Sequence, residues 1–234
     1  MKQNKGVSLI LTLLIMSSIL TGAVIVGDIL IRHGQVVQGA EVSEMAYFAA
    51  RSGAEKIAYK ALKNYEDITN LNNSGGELDN GGSYDVLGID TYATNPNTGL
   101  EINDSNSWSI NLSPGETFHL SLDINGVSYP NSIVFSKSGS VSSDMVIFEC
   151  NVTDGECSSN QTQSFDVDFS HTLSVDSNKN YEITIKNSGS SIETYVIEPN
   201  MTLPIGIQTS VKGVYSGYER QIKATFRKWQ IYGG

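Results

Sequence analysis

The stretch MKQNKGVSLILTLLIMSSILTGAVIVGD, residues 1–28, decides the fold because it joins a short basic head to a long uncharged run. Val7–Val26 contains no charged residue, and as a helix it would span about 30 Å, the thickness of a bilayer's hydrocarbon core. Lys2 and Lys5 precede the run and Asp28 follows it, so the excess of positive charge predicts a cytoplasmic N-terminus. Everything after residue 28 is then expected outside.

Three fates are open for this apolar run: removal as a secretory signal, retention as an uncleaved anchor, or retention after a cut near its front. An ordinary signal has an apolar stretch of about 7 to 15 residues and a small-x-small cleavage site. This run is longer, and Thr21-Gly22-Ala23 is a poor cleavage site. The pattern therefore disfavours ordinary secretion.

Beyond the uncharged run the sequence stays helical in character, because it contains no proline as far as Tyr65 and is rich in helix formers. We predict one helix from Val7 to about Tyr65, roughly 85 Å long. A compact domain of this size cannot bury that length, so the front half, to about Ile31, is expected in lipid or against other proteins. Gly22 and Gly27 in that half either weaken the helix or allow close approach of a neighbour.

The rear half of the helix carries small and apolar residues at spacings of three or four, which form one helical face. Charged residues such as Glu44, Arg51 and Lys56 fall on the opposite face. The pattern predicts that the apolar stripe packs on the remainder of the chain. The stripe consists of Ala46, Ala49, Ala50, Gly53, Ala54, Ile57 and Ala61.

A polar connector rich in glycine and asparagine, residues 66–82, predicts the boundary between the helix and a head of residues 83–234. About ten short runs of β character follow, separated by turn sequences; residues 164–169 and 220–232 are two of these predicted strands. In TFHLSLDI, residues 117–124, apolar and polar residues alternate, which predicts a sheet with one buried and one wet face. The expected fold class is α+β: a long N-terminal helix followed by an antiparallel β-rich head, either a sandwich or one large sheet.

The composition disfavours several classes of function. The formal net charge is −10, whereas phosphate binding requires clustered Lys and Arg, so nucleic-acid binding is not indicated. No GxSxG, HExxH or phosphate-loop motif occurs, and the three histidines lack metal-ligand spacing. Asp166 and Asp168 are spaced like paired carboxylates on a strand, but the wet face of an edge strand has the same pattern. We expect no enzymatic activity, metal or cofactor.

Cys150 and Cys157 are the two cysteines of the chain, and the six residues between them include the turn-forming pair Asp154-Gly155. An exported chain meets an oxidising environment. We expect a local disulfide between the two cysteines, with two free thiols as the alternative.

The leader MKQNKG, residues 1–6, the following VSLILTLLIMSSIL, the long helix and the outer β domain together resemble a type IV pilin. The resemblance implies that a prepilin peptidase cuts after Gly6 and methylates Val7 as the new N-terminus. The apolar run is then kept because it is the assembly element.

Two further features resemble the PilX-type and K-type minor pilins. Major pilins usually carry Glu at the fifth mature position, where this chain has Leu11, and these minor pilins often lack that Glu. The stretch AYFAARSGAEKIAYKAL, residues 46–62, is similar to their alanine-rich helix signature, with Arg51 in place of the usual Glu.

This resemblance implies a pilin-like structural subunit, of the minor type, in a bacterial type IV pilus or related filament. Residues 7–31 would lie in the cell membrane in the precursor and in the filament core after assembly, with the head outside. The implied partners are other pilin subunits, the membrane and the prepilin peptidase. The alternative is a cell-surface binding protein held by an uncleaved anchor, although such an anchor has no particular use for glycine at position 6.

Overall fold

The first element of the chain is a single unbroken helix, α1 (Lys5–Leu62), of 58 residues. The computed structural model describes residues 5–137, 139, 143–151, 157–165 and 169–233. After α1 the chain is rich in strands, and all their described pairings are antiparallel. The predicted α+β layout, a long apolar helix followed by an antiparallel β region, is confirmed.

The β region comprises three sheets, and one short helix, α2 (Ile68–Leu71), precedes it. The strands are β1 (Gly75–Glu77), β2 (Ser83–Thr91), β3 (Trp108–Leu112), β4 (Thr117–Leu122), β5 (Ser132–Lys137), β6 (Ser143–Asn151), β7 (Cys157–Phe165), β8 (Phe169–Ser174), β9 (Lys179–Asn187), β10 (Glu193–Pro199), β11 (Gly206–Tyr215), β12 (Tyr218–Arg227) and β13 (Trp229–Tyr232).

The helix ends three residues before the expected limit at Tyr65. Tyr65 adopts a left-handed conformation, φ 54°, which a helical residue does not have. The N–H of Glu66 then returns to the carbonyl of Lys60 at 3.0 Å and closes the end of the helix. Helix-forming composition alone did not indicate this reversal.

The predicted connector, residues 66–82, is more ordered than its composition suggested, because it contains α2 and β1. The carboxylate of Asp67 accepts a hydrogen bond from the N–H of Thr69 at 2.8 Å and caps α2. Ile68 and Leu71, three residues apart, are buried on one side of this turn. One cap and one apolar pair are therefore enough to fold a segment that is otherwise polar.

The predicted strands differ from the observed strands around β7. β7 was not predicted because its sequence, CSSNQTQSF, has no apolar alternation; it forms by pairing with β6. The middle of the expected strand at residues 164–169 lies outside the described residues; its two ends belong to different sheets, with Phe165 at the end of β7 and Phe169 at the start of β8. Asp166 and Asp168 lie outside the described residues.

The helix packs on a four-stranded sheet in the order β1-β2-β11-β12, which we call the helix sheet. The rear half of α1 lies across β11, β12 and β2. The buried core between them consists of Ala54, Ile57, Ala61, Ile68, Leu71, Tyr84, Val86, Ile89, Ile124, Ile207 and Val211.

The remaining strands form a sandwich of two sheets, in the orders β3-β10-β5-β8 and β13-β4-β9-β6-β7. Apolar residues of both sheets, including Trp108 and Phe118 in edge contact at 5.3 Å, fill a second core. Tyr129 packs against both cores. The predicted strand at residues 220–232 is divided at Lys228, where the chain leaves the helix sheet as β12 and enters the sandwich as β13.

Candidate assembly surface

The front half of α1 stands free of the head. Among the described residues, α1 is the one helix long and apolar enough to cross a membrane; its most apolar window has a mean hydropathy of 2.2, and none of that window is buried. An exposed apolar helix of this kind suggests membrane anchoring. More than half of the surface is exposed in Leu11, Leu13, Leu14, Ile15, Met16, Ile19, Leu20, Val24, Ile25, Val26, Ile29, Leu30, Ile31, Val36 and Val37.

The residues assigned to processing and assembly lie at the start of this surface. Gly6 and Val7 fall in the first turn of α1. Leu11 is 60% exposed. A leucine there offers an apolar contact to a neighbour in place of a charge. The cut after Gly6 and the role of Leu11 stay predictions.

Gly22 and Gly27 have no partner in their own chain, because a methyl group added at either would meet nothing within 4 Å. No described contact within the head requires a glycine at these positions. Both predicted roles, a weaker helix or a close neighbour, therefore stay open.

Several polar side chains in the exposed half of α1 find their hydrogen-bond or ion-pair partners within the same helix. The hydroxyls of Ser17, Ser18 and Thr21 donate to helix carbonyls three or four residues earlier, at 2.8–3.0 Å. Arg32 Nε lies 2.9 Å from Asp28 Oδ2, one helical turn away. The surface can therefore exchange lipid neighbours for protein neighbours with few unsatisfied polar groups.

All seven residues of the rear stripe are buried against the head. Small side chains bring the helix close to the sheet: a methyl group at Gly213 on β11 would overlap the carbonyl oxygen of Ala46 and the amide nitrogen of Ala50. A methyl group at Gly53 would overlap the ring of Tyr84. Alanine and glycine are needed here because the backbone of α1 lies so close to the backbone of β11 that a larger side chain would not fit between them.

The turn between β11 and β12 extends the docking contact along the helix. Ser216 and Gly217 both have positive φ, as in a two-residue hairpin turn. The hydroxyl of Tyr218 lies beside Gly39, and Arg220 Nε donates to Ser43 Oγ at 2.7 Å. The head therefore holds α1 from about Gly39 onward, and the helix before that point is the candidate assembly surface.

Lys228 joins three parts of the molecule. Its N–H donates to the carbonyl of Ile205 at 2.8 Å, before β11, and its carbonyl accepts from the N–H of Ser121 on β4 at 2.9 Å. Its ammonium group donates to the carbonyl of Leu62, the last residue of α1, at 3.3 Å and to Asp123 at 2.8 Å. A cation at this position also complements the negative end of the helix dipole.

The environment of this lysine corrects one prediction. Alternation in residues 117–124 placed Ser121 and Asp123 on a wet face, but both are buried. Burial raises the pKa of Asp123, and the hydrogen bond and charge of Lys228 offset this only in part. No local pattern indicated the pair, because its two members are 105 positions apart in the chain.

A second pair of titratable side chains joins β4 to the neighbouring strand β9. His119 Nε2 is 2.7 Å from Glu182 Oε2, and the hydroxyl of Ser121 donates to Glu182 Oε1 at 2.6 Å. Burial acts to raise the pKa of Glu182, but hydrogen bonds from His119 and Ser121 outweigh it, so the pKa of Glu182 falls below its ordinary value. Glu182 lines a groove that it shares with Tyr65, just after the end of α1, away from the assembly surface.

The two cysteines are brought opposite each other. In the antiparallel pairing of β6 with β7, Cys150 is the register partner of Cys157. Directly opposite residues have Cα atoms about 4.5–5.5 Å apart, which is within the range for a disulfide. The register is compatible with the expected bond, which stays a prediction.

Within the ranges that the structure describes, no group of three or more His, Cys, Asp or Glu side chains is placed to hold a metal ion. The three histidines occupy different elements: His33 is exposed on α1, His119 is on β4 and His171 is on β8.

Comparison with known proteins adds little to this picture. No protein-family model matches the chain, and no match was found among curated proteins. Among solved structures, the chain is similar to one titled "Crystal structure of PirA", with 13% sequence identity and a TM-score of 0.31. The alignment covers 44% of this chain and 98% of that chain. A likeness of that size assigns neither a fold family nor a function.

Proposed function

We propose that this protein is a pilin-like structural subunit, of the minor type, in a bacterial type IV pilus or related filament. A prepilin peptidase removes residues 1–6 and methylates Val7. The precursor sits in the cell membrane with its head outside, and assembly moves the front of α1 into a filament of other pilin subunits. The protein itself has no enzymatic activity in this account.

The length of the exposed apolar surface is the observation that supports this proposal. The free part of α1 runs from Leu11 to about Gln38, which is about 42 Å of helix. The hydrocarbon core of a bilayer covers only about 30 Å of it. A helix that crosses along the membrane normal therefore leaves one end of this surface outside the hydrocarbon core.

Val36 and Val37 lie in the part of the helix that exceeds the thickness of the hydrocarbon core. They are 69% and 52% exposed, and they follow the charged pair formed by Asp28 and Arg32. An anchored binding protein would leave both valines in water. A filament subunit would bury them against neighbours, and full burial of such a side chain is worth about 1.5–3 kcal/mol.

Val36→Glu separates the two functions. In a filament, the added charge would be buried without a partner, which is costly, so the variant should be lost from sheared surface filaments while its amount in the membrane is unchanged. Leu100→Glu is the matched control, because Leu100 is an exposed apolar residue of the head.

The anchored alternative predicts a different result. The Val36→Glu variant and the unmodified protein would then both stay in the membrane fraction and be absent from sheared filaments. That distribution, or filament incorporation unaffected by Val36→Glu, would contradict the proposal.

A further inference from the structure

A groove of about 640 Å³ lies in the head, away from the assembly surface. It is bounded by Tyr65 after the end of α1, by residues 123–131 after β4, by the end of β6 and by residues 175–182 around the start of β9. Its volume is in the range of small-molecule sites, which is about 300–1,000 Å³. Like many ligand sites, it lies where separate packing units meet, here the helix and the sandwich.

All but one of the charged groups of the groove are already paired; the exception is Asp176, which is exposed and accepts hydrogen bonds from Asn178. Asp123 is held by Lys228, with Nζ 2.7 Å and 2.8 Å from its two oxygens, and Glu182 is held by His119 and Ser121. Lys179 at the rim is paired with Glu149. These groups shape the floor and rim, but they have little capacity left for a charged ligand.

Apart from Asp176, the uncommitted groups of the groove are neutral. Among the described residues, the side chains of Asn131, Asn151, Asn180, Ser128 and Ser177 form no hydrogen bond, and all five line the groove. Each amide offers both donors and an acceptor, and each hydroxyl offers both roles. A ligand that matches this set must itself donate and accept at several points.

Tyr65 adds an aromatic face to the groove. It is 48% exposed, although its hydroxyl lies near the buried carboxylate of Asp123. Its left-handed backbone, φ 54°, is uncommon for an aromatic residue and turns the chain at the groove wall. Tyrosine combines a flat apolar surface with a polar tip, which suits a ligand that has both apolar and hydroxylated faces.

We propose that this groove binds a neutral carbohydrate. Sugar hydroxyls both donate and accept, as the free amides and hydroxyls require, and the apolar face of a sugar ring can lie on Tyr65. An anion would meet Asp123, Asp176 and Glu182 in the lining and a chain of net charge −10. A cation would have to displace Lys228 from Asp123, which would leave a buried charge unpaired, or bind the exposed Asp176 alone, where an ion pair contributes under about 1 kcal/mol.

The test is binding of the labelled full chain, in lipid nanodiscs, to a printed array of neutral and sialylated glycans. We expect signal on neutral glycans. The best neutral glycan is then titrated by calorimetry. Asn180→Ala should weaken its binding about tenfold, the effect of losing roughly 1.4 kcal/mol of hydrogen bonding.

A second variant distinguishes loss of binding from loss of the fold. Tyr65→Asn removes the ring but suits the left-handed backbone, so the fold should persist while binding is lost. Asn111→Ala is the control: Asn111 is exposed near the end of β3, whereas the groove lies beyond the end of β4. It should bind like the unmodified chain.

The outcomes decide the proposal. Absence of any glycan signal from folded protein would overturn it, as would binding confined to sialylated glycans. Neutral-glycan binding that survives both Asn180→Ala and Tyr65→Asn would place the ligand elsewhere and would also overturn it. None of these results bears on filament assembly, which depends on α1.

Discussion

Lys228 and Asp123 form a largely buried ion pair, with Nζ of Lys228 2.7 Å and 2.8 Å from the two carboxylate oxygens of Asp123. The side chain of Asp123 is 3% exposed and that of Lys228 is 15% exposed. The same ammonium group reaches the carbonyl of Leu62 at the end of α1. The pair therefore fastens the helix to the point where the chain passes from the helix sheet to the sandwich.

Lys228→Met should destabilise the head strongly. It leaves a buried carboxylate without a partner, and breaking a buried pair in this way costs about 3–5 kcal/mol. Urea unfolding of the full chain in detergent micelles measures the loss. Lys212→Met is the control, because its exposed pairs at 3.4–3.5 Å should contribute under about 1 kcal/mol. Equal effects of the two variants would contradict the role assigned to Lys228.

Gly213→Ala should loosen the contact between helix and sheet. The new methyl group would overlap the backbone of α1 at Ala46 and Ala50, and overpacking of this kind costs about 1–3 kcal/mol. Gly88→Ala on β2 is the matched control, because its methyl group would meet nothing within 4 Å. Thermal unfolding of both variants should show a lower midpoint for Gly213→Ala alone.

Ala50→Glu should be more severe than either glycine change. Ala50 is fully buried between α1 and the sheet, so the carboxylate would lose its water without gaining a partner. We expect loss of head stability, seen as faster proteolysis, or loss from filaments. Ala40→Glu places the same charge on an exposed position of the same helix and should leave the head as resistant as the unmodified protein. Normal stability and filament yield of Ala50→Glu would show that the stripe is not packed in the assembled protein.

Glu182 should make the free energy of unfolding of the head decrease as the pH falls into the acid range. Its folded pKa is below its ordinary value of 4.5, so the folded state binds its proton less readily than the unfolded state. Its contribution is therefore present above about pH 4.5 and is lost as the pH falls through the folded pKa. Glu182→Gln should flatten this part of the stability profile, measured by urea unfolding between about pH 3 and pH 6. The exposed Glu198→Gln is the control, and an identical flattening by both would contradict the assignment.

The disulfide can be tested by mass. An intact chain with Cys150 bonded to Cys157 should be lighter by two hydrogens than the reduced chain. Closing so short a loop should stabilise the head by about 2 kcal/mol, so reduction should lower the unfolding midpoint. Alkylation of both thiols in unreduced, unfolded protein would show that the bond is absent.

Local patterns made the helix and most strands predictable. The small residues from Ala46 to Ala61 recur at helical spacing, and the structure buries them. The alternation in β4 and β9 likewise reports buried faces. Both signals depend only on neighbours along the chain, which is why they can be read from one sequence.

The misses depend on contacts between distant residues. β7 has no apolar pattern and exists because β6 offers it hydrogen bonds, and Asp123 is buried because Lys228 arrives from the far end of the chain. The groove is assembled from segments more than a hundred positions apart, between Tyr65 and residues 175–182. No periodicity in the sequence reports such juxtapositions.

The most direct test of the central claim is intact mass and N-terminal sequencing of the protein recovered from cell membranes and from sheared surface filaments. We expect a chain that begins at N-methylated Val7 and is present in the filament fraction. A chain that begins at Met1 and is confined to the membrane would favour the anchored binding protein, and a start near Ala23 would indicate ordinary secretion; either result would contradict the account.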